Sequence, residues 1–268
     1  MRLAFVDDDY GEIKKLTTMI DKELQGTVYS SCTKQLFSTG ETFLSVWKPG
    51  MYDIVFLDIF MDQLTLRWYG HACFTVTCRE FTVAFDPYED NYVPGFAPLH
   101  LQADLVLCSP QHNDHNAAGL VKPITGHQNP FHIIEIPTFH DPEGGRLRGD
   151  NIIHVLEVGK LRIAHFGDIG CPLTPAQAAE LQGLDLALIP VGGFYTIGPR
   201  EAKNLIETIR PKVVVPMHYR MGKIGLPNVA QVDDFLSLVE DYVYYPTDTL
   251  TINEGTKSQI AVLSYKSE

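Results

Sequence analysis

The residues best suited to chemistry are histidines and aspartates that stand at the ends of apolar runs. One loop carries three of them directly after a buried run, and three others each follow a later run of the same kind. Imidazole and carboxylate groups together suit Zn²⁺, and they also accept Mn²⁺ or Fe²⁺. Their shared position predicts a divalent-metal site built at strand ends. The candidates are His112, Asp114, His115, His140, Asp168 and His218.

Short strands must bring these residues together. From Leu64 onward, short runs rich in β-branched and aromatic residues are separated by turn signals, a pattern typical of strands. Because strands outnumber helices, we predict two sheets with helices outside them. Strands are predicted at 64–68, 73–77, 81–85, 104–108, 132–136, 152–158, 161–165, 185–189, 212–216 and 259–264, and helices at 116–121, 175–182, 199–209 and 230–240.

Ordered segments of this region resemble the metallo-β-lactamase superfamily. The resemblance is greatest to its ascorbate-6-phosphate lactonase-type branch of metal-dependent hydrolases, and it extends over residues 64–268. It implies an α/β fold, the αββα sandwich, with a two-metal site at one edge. The segments are Trp68-Tyr69-Gly70-His71-Ala72-Cys73-Phe74, Phe85-Asp86-Pro87, His112-x-Asp114-His115, His165-Phe166-Gly167-Asp168, Pro190-Val191-Gly192-Gly193 and Pro216-Met217-His218.

The resemblance also implies a role for each candidate ligand. The family loop reads His-x-His-x-Asp-His, and Pro110 occupies the position of its first histidine. Proline offers no side-chain donor atom, so we expect one or two ions, with the weaker site at His112 and His140. Zinc is the expected metal, with manganese or iron as alternatives. His112 and His140 would hold the ion of the weaker site, Asp114, His115 and His218 would hold the other ion, and Asp168 would bridge the two.

Hydrolysis is the implied reaction, in which a metal-bound water attacks a small ester, lactone or phosphorylated metabolite. Asp114 would act as a ligand and as a proton acceptor, and His165 is a candidate donor. His71 is interpreted as structural. Gly193 and Tyr195 follow a strand and are predicted to line the substrate site, because glycine lets the backbone approach a ligand closely. Five basic residues near these loops are interpreted mostly as solvated surface charges, although any one of them could bind a phosphate: Arg146, Arg148, Arg200, Arg220 and Lys223.

Residues 1–62 form a separate pattern, βαβαβ, with strands at 2–6, 27–31 and 53–57. They resemble the first half of a response-regulator receiver domain, through Asp7, Asp8 and Asp58. In that family such aspartates hold magnesium, and the third accepts a phosphoryl group. The pattern stops after residue 62, so Asp58 is expected to have no phosphoryl-transfer role. The truncated sheet would leave an open edge, which a second copy of the chain or the rest of this chain could cover.

Composition limits the remaining possibilities. The chain has 268 residues and a net charge of -12, which argues against nucleic-acid or membrane partners and leaves a small-molecule substrate. Its five cysteines form no CxxC pair, and no apolar stretch of signal-peptide length begins the chain, which favours the cytoplasm. The alternative to an enzyme is a catalytically weakened metallo-hydrolase fold that serves as a signalling or binding module coupled to the receiver-like segment.

Overall fold

The chain divides into two compact units, Met1–Met61 and Asp62–Glu268. The computed structural model describes residues 1–7, 10–57 and 63–266. The sequence placed the corresponding segments at 1–62 and 64–268. In the part of the chain that is described, no helix is long and apolar enough to cross a membrane.

The first unit is a three-stranded parallel sheet with two helices. Its elements are β1 (Arg2–Val6), α1 (Tyr10–Leu24), β2 (Thr33–Phe37), α2 (Gly40–Val46) and β3 (Ile54–Leu57). The strand order is β2-β1-β3, which the opening strands of doubly wound folds share, so the resemblance to a receiver stays a prediction. Leu3 and Phe5 pack with Ile13 of α1 on one face of β1. Ala4 packs with Phe43 of α2 on the other.

The second strand of this unit was predicted wrongly. Residues 27–31 form turns rather than a strand, and Val28 is 88% exposed. The strand lies at Thr33–Phe37, where Phe37 is buried, and α2 begins only after Thr39, whose hydroxyl accepts from the backbone N–H of Thr42. A strand needs a buried face, and residues 27–31 offer none.

The receiver-like aspartates are only partly covered by the structure. Asp7 follows β1, and its backbone N–H donates to the carbonyl of Phe37 at 3.0 Å. Asp8 and Asp58 lie outside the described residues. The strand β3 forms one edge of the described sheet and carries the exposed side chains of Ile54 and Leu57. The homo-oligomer that would cover this edge stays a prediction.

The second unit contains fourteen strands and three α-helices among the described residues. In chain order they are β4 (Leu64–Gly70), β5 (Cys73–Cys78), β6 (Phe81–Phe85), β7 (Gln102–Ala103), β8 (Leu105–Leu107), β9 (Lys122–Pro123), β10 (His132–Phe139), β11 (Asp150–Val158), β12 (Leu161–His165), α3 (Pro175–Glu180), β13 (Leu186–Pro190), α4 (Pro199–Ile209), β14 (Val213–Met217), α5 (Val232–Leu236), β15 (Tyr242–Tyr244), β16 (Thr249–Ile252) and β17 (Gln259–Val262).

Two sheets share one apolar core in this unit. The larger sheet has the order β10-β11-β12-β13-β14-β17-β15, and the smaller has the order β16-β4-β5-β6-β8. Leu64, Leu66 and Trp68 alternate along β4 with more exposed residues and point into the same core as Ile153 and Ile163 of the larger sheet. This alternation is what a strand with one buried face requires.

The helix layers differ from the predicted αββα sandwich. The helices α3, α4 and α5 all connect strands of the larger sheet. On the smaller sheet, Cys73 and Ala84 point away from the shared core and pack with Tyr88, Val93 and Phe96 of an irregular segment. The helix predicted at 116–121 is a single 3₁₀ turn at Ala118–Leu120, and the one predicted at 230–240 spans only Val232–Leu236.

Parallel pairing places several loops at one edge of the molecule. The strands β12, β13 and β14 run parallel, so the loops after His165, Pro190 and Met217 emerge at the same edge. The loop after β8, which runs parallel to β6, carries His112, Asp114 and His115. In open α/β sheets, this carboxyl edge is where ligand sites are built.

Candidate metal centre

Seven side chains at this edge form two groups that could each hold a metal ion. In each group, one ligand atom from every residue lies within 4.8 Å of the others. Six of the seven are the residues that the sequence singled out, and His71 is the addition. The first group is His71, Asp114, His115 and His218, and the second group is His112, His140 and Asp168.

Asp168 lies between the two groups. Its Oδ2 is 2.9 Å from Nε2 of His115 in the first group and 3.2 Å from Nε2 of His140 in the second. Its Oδ1 is 3.4 Å from Nε2 of His218. Asp168 is therefore placed where a carboxylate could bind ions of both groups.

Unpartnered polar atoms in the centre fit a divalent cation. Nε2 of His115, His140 and His218 and Oδ1 of Asp168 are buried, and none has a hydrogen-bond partner among the described residues. A buried polar atom left unpaired costs roughly 1–3 kcal/mol, so a cluster of them requires compensation. Imidazole nitrogens and carboxylate oxygens that converge in this way are the donor set that Zn²⁺ takes.

His71 lies in the turn between β4 and β5, where it has a left-handed φ of 51°. Its carbonyl accepts from Nε1 of Trp68 at 3.1 Å and from the backbone N–H of His218 at 3.3 Å. Its Nε2 lies 3.3 Å from Oδ2 of Asp114. The sequence marked the segment Tyr-Gly-His-Ala, but only the fold shows that this imidazole faces the other ligands.

Asp86 orients His115. Nδ1 of His115 donates to Oδ2 of Asp86 at 2.8 Å, which leaves Nε2 facing Asp168 and Asp114. The other oxygen, Oδ1, accepts from the backbone N–H of Ser109 at 2.7 Å and so fixes the start of the ligand loop. Carboxylates that hold the far nitrogen of a ligating histidine set its tautomer and orientation. The motif Phe85-Asp86-Pro87 belongs to the resemblance found in the sequence, which implied no role for Asp86.

Asn151 holds Asp168 in position in a similar way. Its Oδ1 accepts from the backbone N–H of Asp168 at 2.8 Å, and its Nδ2 donates to Oγ1 of Thr138 and to the carbonyl of Phe166. Asn151 is fully buried on β11. The turn that presents Asp168 is therefore held from the neighbouring strand.

Backbone strain is concentrated at this centre. His71, Asp86 and His218 adopt left-handed φ values of 51°, 44° and 53° and are buried. Such conformations cost roughly 1–3 kcal/mol for residues other than glycine and persist only where the surroundings enforce them. Local sequence preferences therefore argue against the geometry that brings these side chains together.

Electrostatics in the centre favour bound positive charge. Burial raises the pKa of Asp168, but His115 and His218 outweigh that effect and hold it well below its ordinary value. Burial lowers the pKa of His115, but the carboxylates of Asp168 and Asp114 outweigh burial and raise that pKa well above the usual range. Burial, with the His71 imidazole beside it, lowers the pKa of His218 to about 3, so His218 is neutral. A metal ion would replace the proton on His115, because ligands bind metal in their deprotonated form.

His165 ends β12 and belongs to neither group of candidate ligands. It is fully buried and stacks on Phe85 with 4.9 Å between ring centroids. Its Nε2 donates to the carbonyl of Ala72 at 2.9 Å, and its Nδ1 accepts from the backbone N–H of Gly167 at 3.1 Å. Both ring nitrogens thus hold the local structure, and the donor role of His165 stays a prediction.

A cavity of about 360 Å³ opens on the second group, lined by His112, His140 and Asp168 and by Asp114 of the first group. His71, His115 and His218 are buried out of contact with solvent. Tyr195, predicted to line the substrate site, also lines this cavity, whereas Gly193 lines a neighbouring one. Pro110 is buried and adds no donor atom, so the described residues give the second group three ligands and the first group four.

Comparisons with known proteins agree with this architecture. A family model described as Beta-lactamase superfamily domain matches residues 65–218. The chain belongs to the metallo-β-lactamase superfamily and, within it, to the UPF0173 metal-dependent hydrolases. The receiver-like segment and the lactonase branch are not addressed by these matches.

Three relatives illustrate the similarity. A UPF0173 metal-dependent hydrolase of Thermococcus onnurineus is 30% identical over 214 residues, which are 67% of this chain and 93% of the relative. One from Pyrobaculum islandicum is 31% identical over 232 residues, which are 70% of this chain and 100% of the relative. The crystal structure of a metallo-β-lactamase superfamily protein from Thermotoga maritima superposes with a TM-score of 0.62 and 33% identity, covering 76% of this chain and 100% of that one.

Proposed function

We propose that residues 64–268 hydrolyse an ester, lactone or phosphate-ester bond of a small molecule at the second group, His112, His140 and Asp168. The observation that carries this proposal is the contrast between the two groups. The first has four protein ligands and is buried, whereas the second has three and opens on the 360 Å³ cavity. Closed four-ligand zinc sites are typically structural, and three-ligand sites with an open position are typically catalytic.

A divalent ion held by the second group, zinc by our proposal, would lower the pKa of water towards about 7 and polarise the oxygen under attack. Asp114 lines the cavity. Burial raises the pKa of its carboxyl group, but His115 and His71 outweigh burial and hold that pKa below the ordinary range. A carboxylate that stays ionised accepts hydrogen bonds readily but is a weak base. We therefore assign Asp114 the role of orienting the attacking water in addition to ligation. His165 supports the turn that carries Asp168.

Metal quantification combined with a substrate panel tests the proposal. The panel contains p-nitrophenyl acetate, a γ-lactone and p-nitrophenyl phosphate. Activity on at least one of them should disappear with EDTA and return with Zn²⁺. The variant His140→Ala should lose at least about 10- to 100-fold in metal affinity, since second-sphere losses alone reach that size. The exposed His100 provides the control, His100→Ala, which should match the wild type. Full activity in metal-stripped protein would refute the proposal.

Pro110 favours a second candidate, a metal-binding module without turnover. With a proline in the position of the family's first histidine, the second group lacks one donor. Such a module would bind zinc with the first group and hydrolyse none of the panel. Bound zinc with turnover of any panel member excludes this candidate.

A further inference from the structure

Two cavities meet at Arg148 and Tyr195. The 360 Å³ cavity over the second metal group and a larger one of about 730 Å³ both have these two side chains in their walls. The larger cavity is also lined by Cys171, Gly193 and Leu205. A volume of this size suits a small organic ligand, since ligand sites typically measure about 300–1,000 Å³. A substrate held at the metal group can therefore extend past Arg148 and Tyr195 into the larger cavity.

The backbone of Arg148 is held in place by the loop that begins at His140. The fully buried carboxylate of Asp141 accepts from the backbone N–H of Arg148 at 2.8 Å and from three other N–H groups of the loop. The backbone N–H of His140 donates to the carbonyl of Gly149 at 3.0 Å, which closes the loop. One carboxylate therefore fixes Arg148 relative to a candidate metal ligand.

The guanidinium of Arg148 has no carboxylate partner in the part of the chain that the structure describes. It is half-buried, and its Cζ lies 6.0 Å from the centroid of the Tyr195 ring. Two residues away, the exposed Arg146 pairs with Glu143. Glu201 lines the larger cavity, so a negative charge lies there. The positive charge of Arg148 lies where the two cavities meet. A half-buried, unpaired guanidinium beside a reaction site is suited to an oxyanion.

We infer that Arg148 is a specificity-determining residue, which binds a carboxylate or phosphate group of the substrate at the junction while the remainder of the substrate occupies the larger cavity. This inference rests on the proposed hydrolysis. In that reaction water adds across the ester bond: the acyl carbon takes the hydroxyl, and the leaving oxygen takes the proton. Arg148 takes no part in these bond changes and acts on substrate binding.

Paired substrates test the inference. The full chain, as purified and zinc-loaded, is assayed with p-nitrophenyl hydrogen glutarate, which carries a free carboxylate, and with the neutral p-nitrophenyl valerate. Arg148→Met should raise KM for the glutarate ester about 10- to 100-fold, the loss expected for one charge-assisted hydrogen bond or a bidentate pair. The valerate ester should be hydrolysed as by the wild type, which also shows that the variant is folded. Arg148→Lys should retain part of the discrimination.

Arg146→Met is the matched control, since it removes the same charge from the same loop at an exposed, paired position. It should leave both KM values unchanged. If the wild type hydrolyses both esters and Arg148→Met affects them equally, this inference is wrong while the proposed function stands. If the wild type hydrolyses neither ester, the panel of p-nitrophenyl acetate, a γ-lactone and p-nitrophenyl phosphate decides whether the proposed function fails. Calorimetric binding of glutarate and of propyl phosphate then decides the inference: binding that Arg148→Met weakens supports it, and binding that the variant leaves unchanged overturns it. The stronger binder of the two identifies the oxyanion.

Discussion

Nδ1 of His115 donates a hydrogen bond of 2.8 Å to Oδ2 of Asp86, and both side chains are fully buried. The bond fixes which nitrogen of His115 faces the metal centre, and it joins two loops that are 29 residues apart. A carboxylate in this position also makes the imidazole a better donor.

Asp86→Asn should therefore weaken metal binding about 10- to 100-fold, the usual effect of losing such a partner. Competition with a chromogenic chelator measures the change. Asp104 offers a matched control, because its Oδ1 lies 2.9 Å from Nδ1 of His127 in a similar pair outside the two groups. Asp104→Asn should leave metal affinity intact, and equal losses in both variants would show that Asp86 acts only through stability.

His71→Ala should remove one of the four donors of the first group. The expected result is a fall in zinc affinity of at least about 10-fold with the fold preserved, because direct ligands matter at least as much as their supports. Zinc content after dialysis against chelator, with circular dichroism as the fold check, measures both. An unchanged zinc content would return His71 to the structural role first assigned to it. The exposed His132, which pairs with Glu157, serves as the comparison site.

Pro110→His should strengthen the second group. In the family pattern a histidine at this position is a ligand, and here the three donors of the group lack it. We expect the variant to bind two ions per chain at zinc concentrations where the wild type binds one. Anomalous scattering from crystals of both proteins counts the ions. Two fully occupied sites in the wild type would contradict a weakened second group.

The second unit should lose stability as the pH falls below about 6.5, the ordinary pKa of histidine. His154 is buried, and burial, with the nearby His165 adding to it, lowers its pKa. The unfolded chain therefore takes up a proton that the folded chain resists, so the free energy of unfolding decreases with falling pH. Urea denaturation of metal-free protein at several pH values measures the slope. His154→Gln should have the shallower slope, and parallel curves for the two proteins would count against this assignment.

Gly167→Ala should destabilise the turn that carries Asp168. Gly167 has a φ of 55°, and an added Cβ would lie 2.2 Å from Cβ of Ser109 and 2.4 Å from Oδ1 of Asn151. The loss in free energy of unfolding should exceed the roughly 1–2 kcal/mol that a left-handed conformation costs a residue other than glycine, because overpacking adds about 1–3 kcal/mol. Gly183 has a φ of 73° and nothing within 4 Å of an added Cβ, so Gly183→Ala reports the backbone cost alone. Equal melting temperatures for the two variants would show that the contact at Gly167 relaxes.

The sequence predicted ten of the fourteen strands described in the second unit and six of the seven candidate ligands, whereas the short strands β7, β9, β15 and β16 were not predicted. The strands were visible because burial on one face imposes alternation and β-branched composition on a short stretch, as in β4 and β12. The ligands were visible because histidines and aspartates recur at the ends of several such runs. The strand at Thr33–Phe37 was missed because only Phe37 in it is buried, which gives little local signal.

The sequence by itself therefore determined the kinds of donor atoms and the strand ends that carry them. Tertiary structure decided which of these donors face one another. His71 approaches Asp114 across 43 residues and Asp86 approaches His115 across 29. His71, Asp86 and His218 also adopt left-handed backbone conformations that their own residue types disfavour. Contacts between distant segments supply the free energy for that geometry, and no local window of sequence contains them.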